Sequence, residues 1–230
     1  MQSVPVIAID GPSASGKGTV AARVAAALGW HLLDSGALYR LTALAAMNRG
    51  VALDDEAGVA SVAAALDVAF LEGRILLDGD DAAESIRAET VGEGASRVAA
   101  MPAVRAALLQ RQRDFAKAPG LVADGRDMAS VVFPGAPLKV FLTASSEERA
   151  ARRYKQLIAK GESVNILQIK QDIEQRDARD SARSVAPLRQ EADALLLDTT
   201  GVTVEAAVKT VLDWWRDASS GDATNPQAEG

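Results

Sequence analysis

The chain has 230 residues, 48% of them hydrophobic and only 4% aromatic, enough Ala, Val and Leu to bury one α/β core with a mobile insertion. It holds no cysteine, which rules out a disulfide framework or thiolate metal site, and its formal charge of −6 argues against a broad nucleic-acid surface. No apolar stretch is long enough to cross a bilayer and no export leader is read at the start, so the expected setting is the cytoplasm, away from membrane and nucleic acid.

The first element is an apolar run, Val4-Pro5-Val6-Ile7-Ala8-Ile9, which predicts a strand over 4–9. Next come Gly11-Pro12-Ser13-Ala14-Ser15-Gly16-Lys17-Gly18-Thr19, then Val20, Val24 and Leu28 at helical spacing, with Gly29 as a stop. Strand, glycine loop and helix in that order make a phosphate-binding P-loop. The glycines let several N–H groups converge on one anion, and the helix adds the positive end of its dipole. Lys17 supplies a cation for the terminal phosphates. All nine residues, Gly11 to Thr19, are therefore candidate ATP contacts. One position departs from the common Walker form: Gly18 stands where most loops carry the hydroxyl that ligates Mg²⁺, and Thr19 follows one step later. Mg²⁺ is then expected to be held through water, the nucleotide phosphates and an acidic strand end. The Lys-Gly-Thr ending resembles that of nucleoside monophosphate kinases.

A second strand is predicted over Trp30–Leu33. It contains the single histidine, His31, which reads as a strand residue rather than a general base. Asp34-Ser35-Gly36-Ala37-Leu38-Tyr39-Arg40 follows at once. In an open α/β sheet ligands bind beyond the C-terminal strand ends, so Ser35, Tyr39 and Arg40 are candidates for gripping an anion. The same residues also fit a plain capped helix start with Tyr39 half buried.

Between Gly50 and Pro119 the strand–helix alternation breaks. Val68–Leu77 predicts a hairpin turning at Glu72-Gly73, with Asp78-Gly79 as a second turn. Helices are predicted at Thr90–Ala100 and Pro102–Lys117, the second opened by a proline suited to a first helical turn. A small α+β module is thus inserted between two sheet strands.

The third strand, Leu121–Ala123, leads into Asp124-Gly125-Arg126-Asp127. Asp124 can hold Mg²⁺ through water, Arg126 can contact a transferring or acceptor phosphate, and Asp127 can accept from an exocyclic amine. A loop with a local ion pair is the alternative. Strands at Leu138–Leu142 and Ala194–Leu197 complete a five-membered set, which reads as a parallel sheet covered on both faces. Ser145 and Glu148 form a capping box for a helix that Gly161 can stop. From Glu148 to Arg189 arginine is concentrated: Arg149, Arg152, Arg153, Arg176, Arg179, Arg183 and Arg189. Arg176, Arg179 and Arg183 are spaced for one helix face with Asp180 beside them. Interleaved acids also allow a solvated, salt-bridged helix pair. A last helix is predicted from about Thr203 to Arg216, and residues 218–230 read as a disordered polar tail.

Four strings in order, Asp34–Arg40, Ala123–Asp127, Val131-Val132-Phe133-Pro134 and Ser184-Val185-Ala186-Pro187-Leu188, together resemble the bacterial cytidylate kinases, from Val4 to about Arg216. The resemblance implies a three-layer P-loop kinase fold with a five-stranded parallel sheet. A single domain over 1–217 would have its core at 1–34, 120–148 and 186–217. The monophosphate-binding insertion would be about 35–118 and a helical lid about 149–185. The family catalyses ATP + CMP ⇌ ADP + CDP, accepts dCMP and uses Mg²⁺. Carried onto this chain, it implies acceptor phosphate on Ser35, Tyr39, Arg40 and Arg126, and cytosine on Ser96, Arg105 and Asp127. Arg176, Asp180 and Arg183 fall at the CMP site, with Arg176 and Asp180 at the sugar hydroxyls. Arg152 and Arg153 lie nearer the phosphates in a closed state, and join Lys17 and Arg126 as catalytic candidates.

The expected activity is therefore a monomeric kinase acting on CMP and dCMP. No strong general base is needed, because the attacking phosphate oxygen is already anionic. Two rivals remain: a kinase of the same fold with UMP, AMP or shikimate as acceptor, and a regulatory P-loop nucleotide binder.

Overall fold

Hydrophobic runs bounded by glycine loops and Ala-rich amphipathic helices give, in a computed structural model describing residues 4–71 and 74–220, an α/β chain of two compact units. The first unit comprises residues 1–33, 116–182 and 186–230; the second comprises 34–115 and 183–185.

The first unit is built on strands β1 (Val6–Asp10), β2 (His31–Asp34), β6 (Leu121–Gly125), β7 (Leu138–Thr143) and β8 (Leu195–Asp198), the labels following chain order. They form one five-stranded sheet in the order β2-β6-β1-β7-β8. The central strand β1 runs parallel to both β6 and β7, and β7 runs parallel to β8. Every residue of β1 is buried, as expected of a strand covered on both faces. Ile7, Ile9, Val122, Val140 and Leu142 pack with Val20 and Val24 of helix α1 (Lys17–Leu28) and Val211 of α8 (Val204–Ser220). Trp30 and Trp215 close the edge of this core in a T-shaped pair with centroids 4.9 Å apart. Gly29 ends α1 in the left-handed conformation. Two further helices, α6 (Ser146–Ala159) and α7 (Ile166–Ser181), share a small core of Ala150, Leu157, Ile169 and Ile173. Among the described residues no helix is long and apolar enough to cross a membrane.

The second unit carries α2 (Ser35–Asn48), α3 (Glu56–Ala64), α4 (Glu89–Val98), α5 (Pro102–Arg113) and a three-stranded antiparallel sheet, β3 (Val68–Leu71), β4 (Arg74–Leu77) and β5 (Asp80–Asp81). Leu41, Val59, Leu66, Ile86, Val98, Val104 and Leu108 fill its core. The β3–β4 hairpin is present; its expected turn at Glu72 and Gly73 lies outside the described residues.

Several element bounds differ from the sequence reading. Helix α3 was not anticipated; Asp55 caps it by accepting from Gly58 N at 3.0 Å. Helix α5 stops at Arg113, four residues short of Lys117. Helix α8 runs on to Ser220, past Arg216 and through residues 218–220 that had been assigned to the tail. Lys209 and Arg216 both pair with Asp213, and the Ser219 and Ser220 hydroxyls donate to carbonyls one turn back. The rest of the expected tail, 221–230, lies outside the described residues. Helix α7 ends at Ser181, so Arg183 does not share a helical face with Arg176 and Arg179.

Candidate active site

In the first unit the P-loop bridges β1 and α1. Gly16, at the cap of α1, adopts φ 92°, a left-handed conformation that glycine takes without steric cost. Gly11 is needed for room: a Cβ there would lie 2.0 Å from the carbonyl oxygen of Leu142 on β7. Lys17 is buried, and its Nζ donates to the Pro12 carbonyl at 3.1 Å, across the mouth of its own loop. The Ser15 hydroxyl is also buried and has no hydrogen-bond partner among the described residues, an orphan that a phosphate oxygen would satisfy.

Two helices hold this loop from outside it. From α6, the buried Arg149 donates through Nε to Ala144 O at 3.0 Å and through Nη1 to Ser13 O at 3.1 Å and Asp177 Oδ2 at 2.5 Å. Asp177, on α7, in turn accepts from Ser13 N at 3.4 Å. Arg152 donates to Ser15 O at 2.9 Å, to Thr199 Oγ1 at 3.1 Å and O at 2.6 Å, and to Glu148 at 3.0 Å. Arg153 lies half-buried on the same helix. A cavity of about 570 Å³, lined by Ala14 to Val20, Glu148, Arg152, Lys155, Gln156 and Thr199 among others, opens beside the loop. That volume lies within the range of small-molecule sites.

Asp124 occupies β6 next to β1 and is buried; its Oδ2 would be 3.1 Å from a Cβ on Gly18. The position that usually carries a metal-binding hydroxyl is thus bare so that a carboxylate can approach the first turn of α1. Among the described residues no group of three or more His, Cys, Asp or Glu side chains is arranged to cage a metal. One carboxylate beside a phosphate loop is the donor set that suits Mg²⁺, which keeps most of its water and takes substrate phosphates as ligands.

Just after Asp124 the chain turns. Arg126 Nε donates to Asp180 Oδ2 of α7 at 3.0 Å, and Asp180 is almost fully buried. The turn Met128–Val132 is a single π-helical turn with Asp127 at its cap position. Its first donors, Met128 N and Ala129 N, reach the Asp10 carboxylate at 2.9 and 2.8 Å. Burial pushes the Asp10 carboxyl up to about 6, against the lowering effect of those two N–H groups; the Asp127 charge adds to the rise and Arg126 opposes it.

The second unit holds the other candidates. Asp34 caps α2 by accepting from Ala37 N at 3.0 Å, so the capped helix start and the candidate site coincide at Ser35–Arg40. Arg40 Nη1 donates to Ile86 O at 2.8 Å and packs on Gly92, where a Cβ would come within 2.9 Å of it. The Arg105 guanidinium lies over the Tyr39 ring, 5.9 Å from its centroid, and donates to Ala99 O at 3.2 Å. The Ser96 hydroxyl on α4 is buried with no hydrogen-bond partner among the described residues. Arg183 belongs with this unit, whereas Arg126, Asp127, Arg176 and Asp180 belong to the first.

His31 is exposed and hydrogen-bonded to Ala118 O at 2.9 Å, as a strand residue would be. The capping box at Ser145 is only half made. Ser145 Oγ accepts from Glu148 N at 3.2 Å, but Glu148 turns to Arg152 and Ser145 N donates to Thr200 Oγ1 instead. Three residues escaped the sequence reading as parts of the site: Asp10, Arg149 and Asp177. Only Arg149 had a signal, its place in the arginine cluster.

A parallel sheet with a glycine loop, a buried lysine and an acidic neighbouring strand end defines a P-loop kinase. The sequence profile of the cytidylate kinases matches residues 7–217. The cytidylate kinase of Chromobacterium violaceum is 68% identical over 94% of this chain and 97% of that protein. That of Bordetella bronchiseptica is 60% identical over 93% and 96%, and that of a Pseudomonas aeruginosa strain is 59% identical over 91% and 94%. The chain belongs to the cytidylate kinase family.

Proposed function

We propose that this chain transfers the γ-phosphoryl group of ATP to CMP, yielding ADP and CDP, and that it also accepts dCMP. Family membership over residues 7–217 carries the reading. Two buried orphan hydroxyls support it locally, Ser15 for phosphate and Ser96 for the base.

On this reading Gly11 to Thr19 cradle the ATP phosphates and Lys17 leaves Pro12 O to bridge them. The acceptor phosphate is held by Ser35, Tyr39, Arg40 and Arg126. Cytosine offers an N4 amine to the Asp127 or Ser96 oxygens and its O2/N3 edge to Arg105. Uracil reverses the pattern at positions 3 and 4 and leaves Asp127 facing an acceptor, which disfavours UMP. Arg176, Asp180 and Arg183 complete the CMP contacts. Arg152 and Arg153 neutralise charge on the moving phosphoryl group when α6 and α7 close as a lid. Asp124 would hold Mg²⁺ through water, and the ion would supply further neutralisation of the phosphates. The protein's remaining task is in-line positioning, since phosphoryl transfer asks for little covalent chemistry from side chains. The working form in this reading is a cytoplasmic monomer.

The test is ADP formation from ATP·Mg²⁺ with CMP, dCMP, UMP, AMP, GMP and shikimate offered separately. Fast turnover with CMP and dCMP, with UMP well behind, is the expected result. Turnover with a different acceptor would discard the cytosine assignment, and silence with all six would leave a regulatory nucleotide binder.

A further inference from the structure

Asp10 is the last residue of β1 and only 3% exposed, yet it carries a carboxylate. Burying such a group is costly unless its oxygens are satisfied. Here each oxygen takes one backbone donor from a segment 118 or 119 residues away, Met128 N on Oδ1 and Ala129 N on Oδ2. These are the opening donors of the turn that follows Arg126 and Asp127.

An aspartate at a helical cap ordinarily accepts the second or third of a helix's opening donors with its own side chain, and the second here is Ala129 N. Asp127 occupies that position and makes no such bond; its backbone lies at φ −146° and ψ 23°. The turn closes instead through Val132 N to Asp127 O at 3.2 Å and Phe133 N to Met128 O at 2.8 Å. The preceding residue is gripped separately, Arg126 by Asp180 at 3.0 Å. The segment 126–129 is therefore fastened on both sides by carboxylates from elsewhere in the same unit.

We propose that Asp10 is a positioning residue for cytosine selection: by capping Met128 and Ala129 from β1, it fixes the Asp127 backbone and keeps capping duty off the Asp127 carboxylate. This rests on the reading of Asp127 as the residue that accepts from the base amine. Without Asp10, Met128 N loses its acceptor and Ala129 N has one carboxylate within its own turn to recruit, that of Asp127. Selection between cytosine and uracil is then lost while the ATP loop, one residue along the strand, keeps its glycines and lysine.

Asp10→Asn keeps the volume but offers a single acceptor oxygen for two donors. Its KM for CMP should rise about tenfold and its CMP-over-UMP ratio in kcat/KM should fall about tenfold, with KM for ATP changed by less than about twofold. Asp127→Ala should lose the same ratio, and adding it to Asp10→Asn should cost little more, because both act through one carboxylate. A melting curve of each variant separates these effects from loss of fold; should Asp10→Asn not fold, Asp10→Ser is read by the same ratio. Equal rises in both KM values, or an unchanged CMP-over-UMP ratio in Asp10→Asn beside a collapsed one in Asp127→Ala, would overturn the role of Asp10 alone. An unchanged ratio in Asp127→Ala would overturn the base-reading assignment and this inference with it.

Discussion

Gly18 lies directly beneath Asp124: a Cβ on Gly18 would stand 3.1 Å from the carboxylate oxygen Oδ2, closer than side chains normally approach. The missing hydroxyl of the loop and the acid of the neighbouring strand are thus one steric arrangement. Gly18→Thr, which restores the common loop sequence, must displace Asp124. It should lower kcat by about tenfold, since a shift of a few tenths of an ångström falls short of the ~1 Å that costs about 10²-fold, and raise the Mg²⁺ concentration needed for half-maximal rate. A Mg²⁺ titration of Gly18→Thr and Asp124→Ala compares the two directly. Unchanged metal dependence in both would remove Asp124 from metal binding.

Lys17 donates a short way across its own loop, to Pro12 O at 3.1 Å, and α1 begins at Lys17. Lys17→Ala should reduce kcat by about 10³-fold, as expected for removing a preorganised charge from developing phosphoryl charge. The far-ultraviolet spectrum should stay that of the parent. Turnover close to the parent rate would overturn the P-loop assignment.

Arg149 ties three things at once, the end of β7 through Ala144 O, the P-loop through Ser13 O, and α7 through Asp177. Its side chain is 8% exposed and that of Asp177 is 21%, so the pair is screened from solvent more than the surface pairs are. Arg149→Met takes the charged donor from the Asp177 carboxylate, leaving it the longer bond from Ser13 N, and takes the Arg149 donor from a loop carbonyl. About 2–4 kcal/mol of stability should be lost, a little below the cost of breaking a fully buried pair. Calorimetry should register a fall in Tm of roughly 5–10 °C for a chain of this size. Arg149→Lys should recover less than half of it, because one ammonium cannot span the fork. A melt matching the parent in Arg149→Met would show that the network adds nothing net.

Much of this architecture was legible because the sheet strands are apolar and the P-loop is local. The reading ended strands at Ile9, Leu33, Ala123 and Leu197; the ladder runs on to Asp10, Asp34, Gly125 and Asp198. Backbone pairing ignores side-chain polarity, so hydrophobicity runs out before hydrogen bonding does, and the extra residues include Asp10, Asp34, Asp124 and Asp198 beside Gly125. Helix α3 was missed because its nine residues are mostly Ala and Val, which blurs any polar face; Asp55 and the buried Val59, Val62 and Ala63 were its signal. The site divides in the same way. Motif residues could be named from the chain, and Ser96 and Arg105 came only through family resemblance. The bonds of Asp10 to Met128, and of Arg149 and Asp177 to Ser13, span 118, 136 and 164 residues, and no spacing rule connects them.

The buried acid at the end of β1 also sets a pH signature. In the folded chain the Asp10 carboxyl is raised from 3.8 to about 6, because burial outweighs the two N–H groups that favour its charge. Between those values the native state binds a proton that the unfolded chain has released, so this group's contribution to stability falls as pH rises. The contribution is fully present below 3.8, is lost as pH passes through about 6, and is flat above that. Asp10→Asn cannot titrate, so the stability difference between parent and variant isolates the effect from every other ionising group. That difference should favour the parent more at pH 4 than at pH 7, by about 2 kcal/mol. Urea denaturation of both proteins across that range is the measurement. A difference independent of pH would mean that the two donors balance the penalty of burial, and one growing towards pH 7 that they outweigh it; either would overturn the raised carboxyl.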